Sequence, residues 1–344
     1  MPTPDAIVLS GRRRFPGISS RAWEHPADRA ALMALRSVPG FDAAIRWFFG
    51  MFTEKAIRAL VLGGAVQVGP EQYPRVHGIW QECLAVFDAS TEIELYVSQS
   101  PVLNAGATGW DKPFVVVNSA TVLQLSDDQL RYVLAHELGH ILSGHVLYKT
   151  MLHILLRISL LAMGTPLTGV AMLAVLAALL EWDRKSELSA DRAGLLVCQR
   201  PDDVRHGLVR LAGGVGDGAN LEAFRAQAKR FEASEGIVDQ AVKLLAVLGQ
   251  RHPFPVQRFL EVDRWIESGD YQTILDGRYP LRADDPKESS FAAWKETGEH
   301  YREAAKNTAE PVARWLRETT ANASEKARGW WKGKGEKGEG QAEE

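Results

Sequence analysis

The pentapeptide His136-Glu137-Leu138-Gly139-His140 constrains this chain more than any other stretch. It lies within residues 126–148, which read as one helix. Ser126 can cap the N-terminus, Gln129 completes a capping box, and Asp127 and Asp128 sit where the helix dipole favours acids. Leu130, Val133, Leu134, Leu138, Ile141 and Leu142 then recur at helical spacing. On such a helix His136 and His140 are one turn apart on the same face, so two imidazoles can converge on one metal ion. Glu137 projects beside them, placed to take a proton from a water molecule. Apolar flanks make an idle cluster of this kind uncommon. A five-residue motif also arises as an ordinary solvated face, so the chemistry depends on a third ligand.

With 344 residues, 46% of them hydrophobic, the chain can bury the core of one large or two modest domains. A formal net charge of −3 gives no basis for nucleic-acid binding. Cys83 and Cys198 are the only cysteines, which excludes a disulfide framework and a thiolate zinc cluster. With no catalytic motif around them, both read as core residues. Near the N-terminus a short apolar run precedes Arg12-Arg13-Arg14, the reverse of the order in a secretory signal. The expected location is the cytoplasm or the cytoplasmic face of a membrane.

Residues 1–25 look irregular. Helices are predicted over 28–36, 41–62 and 71–87, with Gly63-Gly64 ending the second. Trp47, Phe48, Phe49, Met51 and Phe52 crowd one segment and read as core packing, with a membrane-surface patch as the alternative. The period then changes to that of strands over 92–97, 104–109 and 114–118, with 109–113 as a turn. A small sheet thus leads into the histidine-bearing helix. Residues 151–180 are the most apolar of the chain, and 158–180 carry no charge. Gly164-Thr165-Pro166 divides them into two segments of roughly 20 Å each as helices, too short for a bilayer core of about 30 Å. A helical hairpin returning to the same side is expected, packed on the protein or dipping into lipid. Lys149, Arg157, Arg184 and Lys185 near its ends would suit a cytoplasmic membrane face. Residues 181–198 and 201–276 continue as helices, interrupted at 251–255. Residues 291–331 suggest amphipathic helices bearing Trp294, Trp315, Trp330 and Trp331, and 333–344 are low-complexity and expected to be disordered.

A catalytic zinc needs a third protein ligand. His145 does not extend the motif in the way a third histidine would. On a continuous helix it is rotated by roughly 140° from His140, and it could join the site only by breaking the helix. A glutamate from a later helix is the other route. Glu181, Asp183 and Glu187 compete for that role, and Glu187 alone has an acid, Asp191, one helical turn later.

The motifs 104–109 (Asn-Ala-Gly-Ala-Thr-Gly), 134–140 (Leu-Ala-His-Glu-Leu-Gly-His), 187–194 (Glu-Leu-Ser-Ala-Asp-Arg-Ala-Gly) and His252-Pro253 with Arg258 follow one another in a specific order. In them the sequence resembles the gluzincin metallopeptidases that include the heat-shock protease HtpX and the type-I CAAX prenyl proteases, over about 72–265. The resemblance implies one zinc ion per chain held by His136, His140 and Glu187, with Glu137 as general base and proton shuttle. It implies that Asp191 orients a zinc-bound histidine. His252 would face the scissile carbonyl and stabilise the oxyanion, with Arg258 holding the arrangement. Asn104, Ala105 and Ala107 would belong to an edge that pairs with an extended peptide substrate. His25, His77, His145, His153 and His206 match no motif and read as structural or exposed.

The expected fold is therefore α+β and predominantly helical, a zincin-type domain with a small antiparallel or mixed sheet. The expected organisation is an N-terminal helical region at 1–70, a metallopeptidase domain at 71–284, an amphipathic extension at 285–332 and a tail at 333–344. Those two branches are multi-pass membrane proteins, whereas one apolar hairpin is present here, so prenyl-protein processing is not expected. The expected function is zinc-dependent hydrolysis of extended or unfolded protein segments in quality control linked to membranes. Membrane association through 151–180 and 291–331 stays open. The rivals are a membrane-associated scaffold or chaperone-like binder, and a latent protease covered by its tail or by residues 23–40.

Overall fold

The computed structural model describes residues 11–38, 41, 44–45, 48–49, 53–161, 170–214, 218–234 and 254–285, with backbone alone at 157–161 and 170–174. The first helix, α1, spans Pro26–Arg36. Phe41, Ala44, Ile45, Phe48 and Phe49 are helical. The helix predicted over 41–62 is interrupted at Thr53, whose hydroxyl accepts from the Ala56 N–H at 3.3 Å and caps a new helix, α2, Glu54–Gly64. Helix α2 passes directly into a three-residue strand, β1, Ala65–Gln67. That strand is too short to show a period in the sequence. Helix α3 spans Pro74–Val86.

Strands β2 (Leu95–Ser98), β3 (Ala105–Thr108) and β4 (Phe114–Asn118) complete a four-stranded mixed sheet in the order β1-β2-β4-β3. Strand β2 runs parallel to β4, with Leu95 opposite Val115; β1 and β3 flank this pair antiparallel. A short helix, α4, Ser119–Gln124, follows without a periodic signal of its own and delivers the chain to the histidine-bearing helix, α5, Asp127–Leu142.

Helix α5 begins as expected, with the Ser126 hydroxyl accepting from Gln129 N–H and the Gln129 side chain accepting from Ser126 N–H. It does not run to residue 148. Gly144 adopts φ +72°, the Gly144 N–H bonds to Ile141 O at 3.1 Å, and the His145 N–H bonds to His140 O at 3.0 Å. This is the closing arrangement that a left-handed glycine permits at a helix C-terminus. The chain restarts as α6, Val146–Leu161, and after residues 162–169 returns as the 29-residue helix α7, Val170–Cys198. Helices α8 (Pro201–Leu211), α9 (Leu221–Ser234), α10 (Pro255–Glu267) and α11 (Asp270–Leu275) follow.

Helices α5 and α7 make intimate contact. A Cβ at Gly139 would lie 2.6 Å from the Cβ of Ala193, so glycine at this position lets the two backbones approach. The main core joins the sheet, α3, α5 and the second half of α7 through Trp80, Leu95, Val115, Leu134, Leu138 and Leu195. A second core holds the apolar stretch. Leu147, Met151, Leu152 and Leu155 of α6, with Val175 and Leu179 of α7, pack against Leu35, Phe41 and Phe48. Phe48 and Phe49 meet Trp110 edge-on at 5.3 and 5.7 Å. Among the described residues no helix is long and apolar enough to cross a membrane. Lys149, which the sequence placed at a membrane flank, is buried in the protein. Trp47, Met51, Phe52, the Gly164-Thr165-Pro166 break and the helices predicted over 291–331 lie outside the described residues.

The N-terminal segment is built into the same body. Phe15, Ile18 and Trp23 are buried, Trp23 stacks on Phe87 at 4.7 Å, and its indole N–H donates to Ser143 Oγ at 3.0 Å. Trp23 and helix α1 are thus part of the packing of the domain.

Candidate active site

His136 and His140 face the same side of α5, with ring centroids 4.8 Å apart. Glu187, in the second half of α7, meets both: its Oε2 lies 3.3 Å from His136 Nε2 and its Oε1 lies 3.1 Å from His140 Nε2. One atom from each of the three can be chosen so that all lie within 4.8 Å of one another, and all three residues are buried. Of the acids that competed in the sequence, Glu181 is exposed and pairs with Arg184 and Lys185. Asp183 accepts instead from Lys149 Nζ at 2.7 Å. Of these three, Glu187 alone reaches both histidines.

Asp191, one turn beyond Glu187, places Oδ1 2.9 Å from His136 Nδ1. The same oxygen accepts from the Tyr132 hydroxyl at 2.6 Å. Arg258 of α10 donates from Nε to Asp191 Oδ2 at 2.8 Å and from Nη2 to Asp191 Oδ1 at 2.5 Å, with Nη1 3.4 Å from Glu187 Oε2. Burial alone would raise the Asp191 carboxyl; the Arg258 guanidinium and His136 outweigh it and hold the group at about 2. Asp191 is thus a permanent anion, and its bond to Nδ1 leaves the His136 Nε2 lone pair for another partner.

Glu137 is buried on the neighbouring face of α5, with Oε2 accepting from the Ala107 N–H of β3 at 2.8 Å. Burial, aided by Glu187, raises its pKa against the opposing influence of His136, Lys149 and the Ala107 bond. Because main-chain groups alternate along a strand, Ala105 and Ala107 turn theirs away from β4, toward the open side of the sheet. Asn104 does not: its N–H donates to Thr121 Oγ1 at 2.8 Å and its carbonyl accepts from Asn118 N–H at 3.0 Å. His252 lies outside the described residues.

Three buried groups at the site escaped the sequence reading. Lys149 donates to Asp183 Oδ1 and Glu187 Oε1, both at 2.7 Å. His145, expected to be structural or exposed, is buried with Nδ1 3.0 Å from His140 Nδ1. Tyr132 lies one turn before His136. The signal for His145 was Gly144, a glycine at the point where a helix closes.

Two imidazole nitrogens and a carboxylate form a donor set suited to zinc, and each histidine is engaged at its other nitrogen, as metal-bound histidines usually are. Burial and the charge of Lys149 hold His140 well below the usual histidine range, which keeps its imidazole neutral. Burial also disfavours an imidazolium at His136, yet Glu187 and Asp191 raise that group to about 9, a measure of how strongly the pocket favours positive charge. The residues fit a divalent metal.

Fold and cluster together place the domain in the zincin class of metallopeptidases. The chain belongs to peptidase family M48, whose model matches residues 70–266. It is 34% identical over 268 residues to the plastoglobule-localized metallopeptidase 48 of Arabidopsis thaliana chloroplasts, covering 76% of this chain and 77% of that one. Protease HtpX homologues are similar over shorter stretches. One from Helicobacter acinonychis is 34% identical over 89 residues, 25% of this chain and 29% of its own length. HtpX homolog 1 of Streptomyces coelicolor is 27% identical over 196 residues, 49% of this chain and 62% of its own. No solved structure matches the chain.

Proposed function

We propose that the chain is a zinc-dependent metalloendopeptidase, holding one zinc ion through His136, His140 and Glu187 and cleaving extended or unfolded protein segments. The observation that carries this is the three-residue buried cluster lying beside a strand edge whose Ala107 N–H touches Glu137. When bound, zinc supplies Lewis acidity, lowering the pKa of a water molecule toward about 7 and polarising the carbonyl. Glu137 takes the proton of that water on its carboxylate and delivers it to the leaving amide nitrogen. Its raised pKa suits both halves of the task. Asp191 holds His136 through Nδ1, and Arg258 holds Asp191. Ala105 offers its main-chain donor and acceptor, and Ala107 its carbonyl, to an extended segment, a mode of pairing that reads little of its side-chain sequence. His252 keeps the role of oxyanion donor that the motif order assigns it. The plastoglobule address in the name of the Arabidopsis relative makes quality control at a lipid surface the setting to test first.

The test is zinc content by elemental analysis of wild type and Glu187→Ala purified in parallel, with casein cleavage by wild type and Glu137→Gln. About one zinc per wild-type chain, strong loss in Glu187→Ala, and a rate about 10²–10⁴-fold lower in zinc-loaded Glu137→Gln are expected. Zinc retained by Glu187→Ala would move the third ligand elsewhere. A wild type that binds zinc and leaves unfolded protein intact would favour a binding role.

A further inference from the structure

The element that stands behind His140 comes from the far N-terminus. Asp28, in the first turn of α1, is buried and lies outside the 70–266 match. Its Oδ2 sits 3.1 Å from His145 Nε2 and accepts from Ser189 Oγ at 2.6 Å. His145 in turn faces His140, Nδ1 to Nδ1, at 3.0 Å. Trp182 closes the other side, its ring edge-on to His145 at 5.5 Å. Burial would raise the Asp28 carboxyl, but His145, Ser189 and Trp182 outweigh it and hold it below the ordinary range, so it is an anion.

We propose that Asp28 and His145 are positioning residues for the metal centre, forming a relay that fixes the ring orientation and tautomer of His140. This inference rests on the assignment of His140 as a metal ligand. A metal on Nε2 leaves the His140 proton on Nδ1, and that N–H needs an acceptor. His145 Nδ1 is the atom it faces, and it accepts only when the His145 proton is on Nε2. The Asp28 carboxylate opposite Nε2 selects that arrangement. The glycine turn at 144 folds His145 back onto the helix it has just left, and Ser189, midway between Glu187 and Asp191, holds Asp28 from α7. One ligand histidine thus has its supporting carboxylate in direct contact, Asp191, while the other reaches its carboxylate through a second imidazole.

The experiment measures zinc affinity of the full chain by competition with a chromophoric chelator, and the visible spectrum of the cobalt-substituted protein. The proteins are wild type, Asp28→Asn, His145→Phe, the double variant and His145→Gln. Partners behind a ligand typically change metal affinity about 10–100-fold. His145→Phe is expected in that range and Asp28→Asn at about tenfold, each with an altered cobalt spectrum. The double variant should match His145→Phe alone, because Asp28 acts through His145. His145→Gln keeps a donor for Asp28, so no buried carboxylate is orphaned, yet its reach differs and the acceptor facing His140 is lost. It should fold and weaken zinc like His145→Phe. Affinities of Asp28→Asn or His145→Gln within twofold of wild type would overturn the relay, as would additive losses in the double variant. A wild type that fails to bind zinc would instead sink the metal assignment itself.

Discussion

Helix α7 is one continuous rod with two unlike halves. Its first half, through Val175 and Leu179, is buried among apolar side chains of α6 and the aromatic segment at 41–49. Its second half carries Asp183, Glu187 and Asp191, all buried and each matched to a cation or a histidine. Non-directional packing suffices for the first half; the second can bury its three acids because each has a partner at hydrogen-bond distance. The two halves should therefore fail differently.

Lys149→Met is expected to show the largest loss, about 3–5 kcal/mol, because it strands the buried Asp183 carboxylate and removes one of the cations facing Glu187. Denaturant unfolding of wild type and variant measures it, and a loss under 1 kcal/mol would remove Lys149 from the network. Leu179→Ala should cost about 2–5 kcal/mol through the cavity it leaves in the second core, with zinc content unchanged. Zinc lost together with stability would mean that the two halves are not separable. Gly139→Ala sits where they meet functionally. Pushing α5 off Ala193 should cost about 1–3 kcal/mol and loosen the metal site as well, read from Tm and from chelator competition.

The smallest effect is at the rim, where His25 caps α1 by accepting from Ala27 N–H at 3.0 Å and reaches Glu261 of α10 at 3.2 Å. The bonds from His25 and then Arg264, against partial burial, hold Glu261 at about 2 rather than 4.5. A depressed carboxyl contributes stability above its unfolded pKa and loses it as pH falls from about 4.5 to 2. With solvent screening this amounts to about 1 kcal/mol. His25→Ala should lower stability by more at pH 6 than below pH 2, where Glu261 is protonated and the pairing is gone; an equal difference at both would refute the pairing.

The comparison also explains what could be read from the sequence. The acids of the second half stood out because Glu187 and Asp191 share a helical face with no reason to be apolar, and their motif was specific. The first half was legible only as apolar, since Val175 and Leu179 would serve a lipid or a protein interior alike; what decides is Phe41 and Phe48, more than a hundred residues away. The fold class was readable from the periods of α5 and β4; the bounds of β4 and the start of α5 were found closely, the end of α5 was overrun, and β1 and α4 were too short to carry a period. Lys149 and His145 were missed for a related reason. Both depend on where the helix stops, and a break of a single residue at Gly144 rotates everything after it.

The edge formed by β3 has a bearing on solubility. Among the described residues no strand covers its outer side, and uncovered edges invite chains to zip together. Here the Ala107 N–H is already occupied by an inward-pointing carboxylate, Glu137. The group assigned to the chemistry thus also discourages one molecule from adding its own strand to another. A Glu137→Ala protein, made only to silence the enzyme, would also leave that buried N–H without its acceptor and should lose stability as well as activity, read from Tm beside the Glu137→Gln protein.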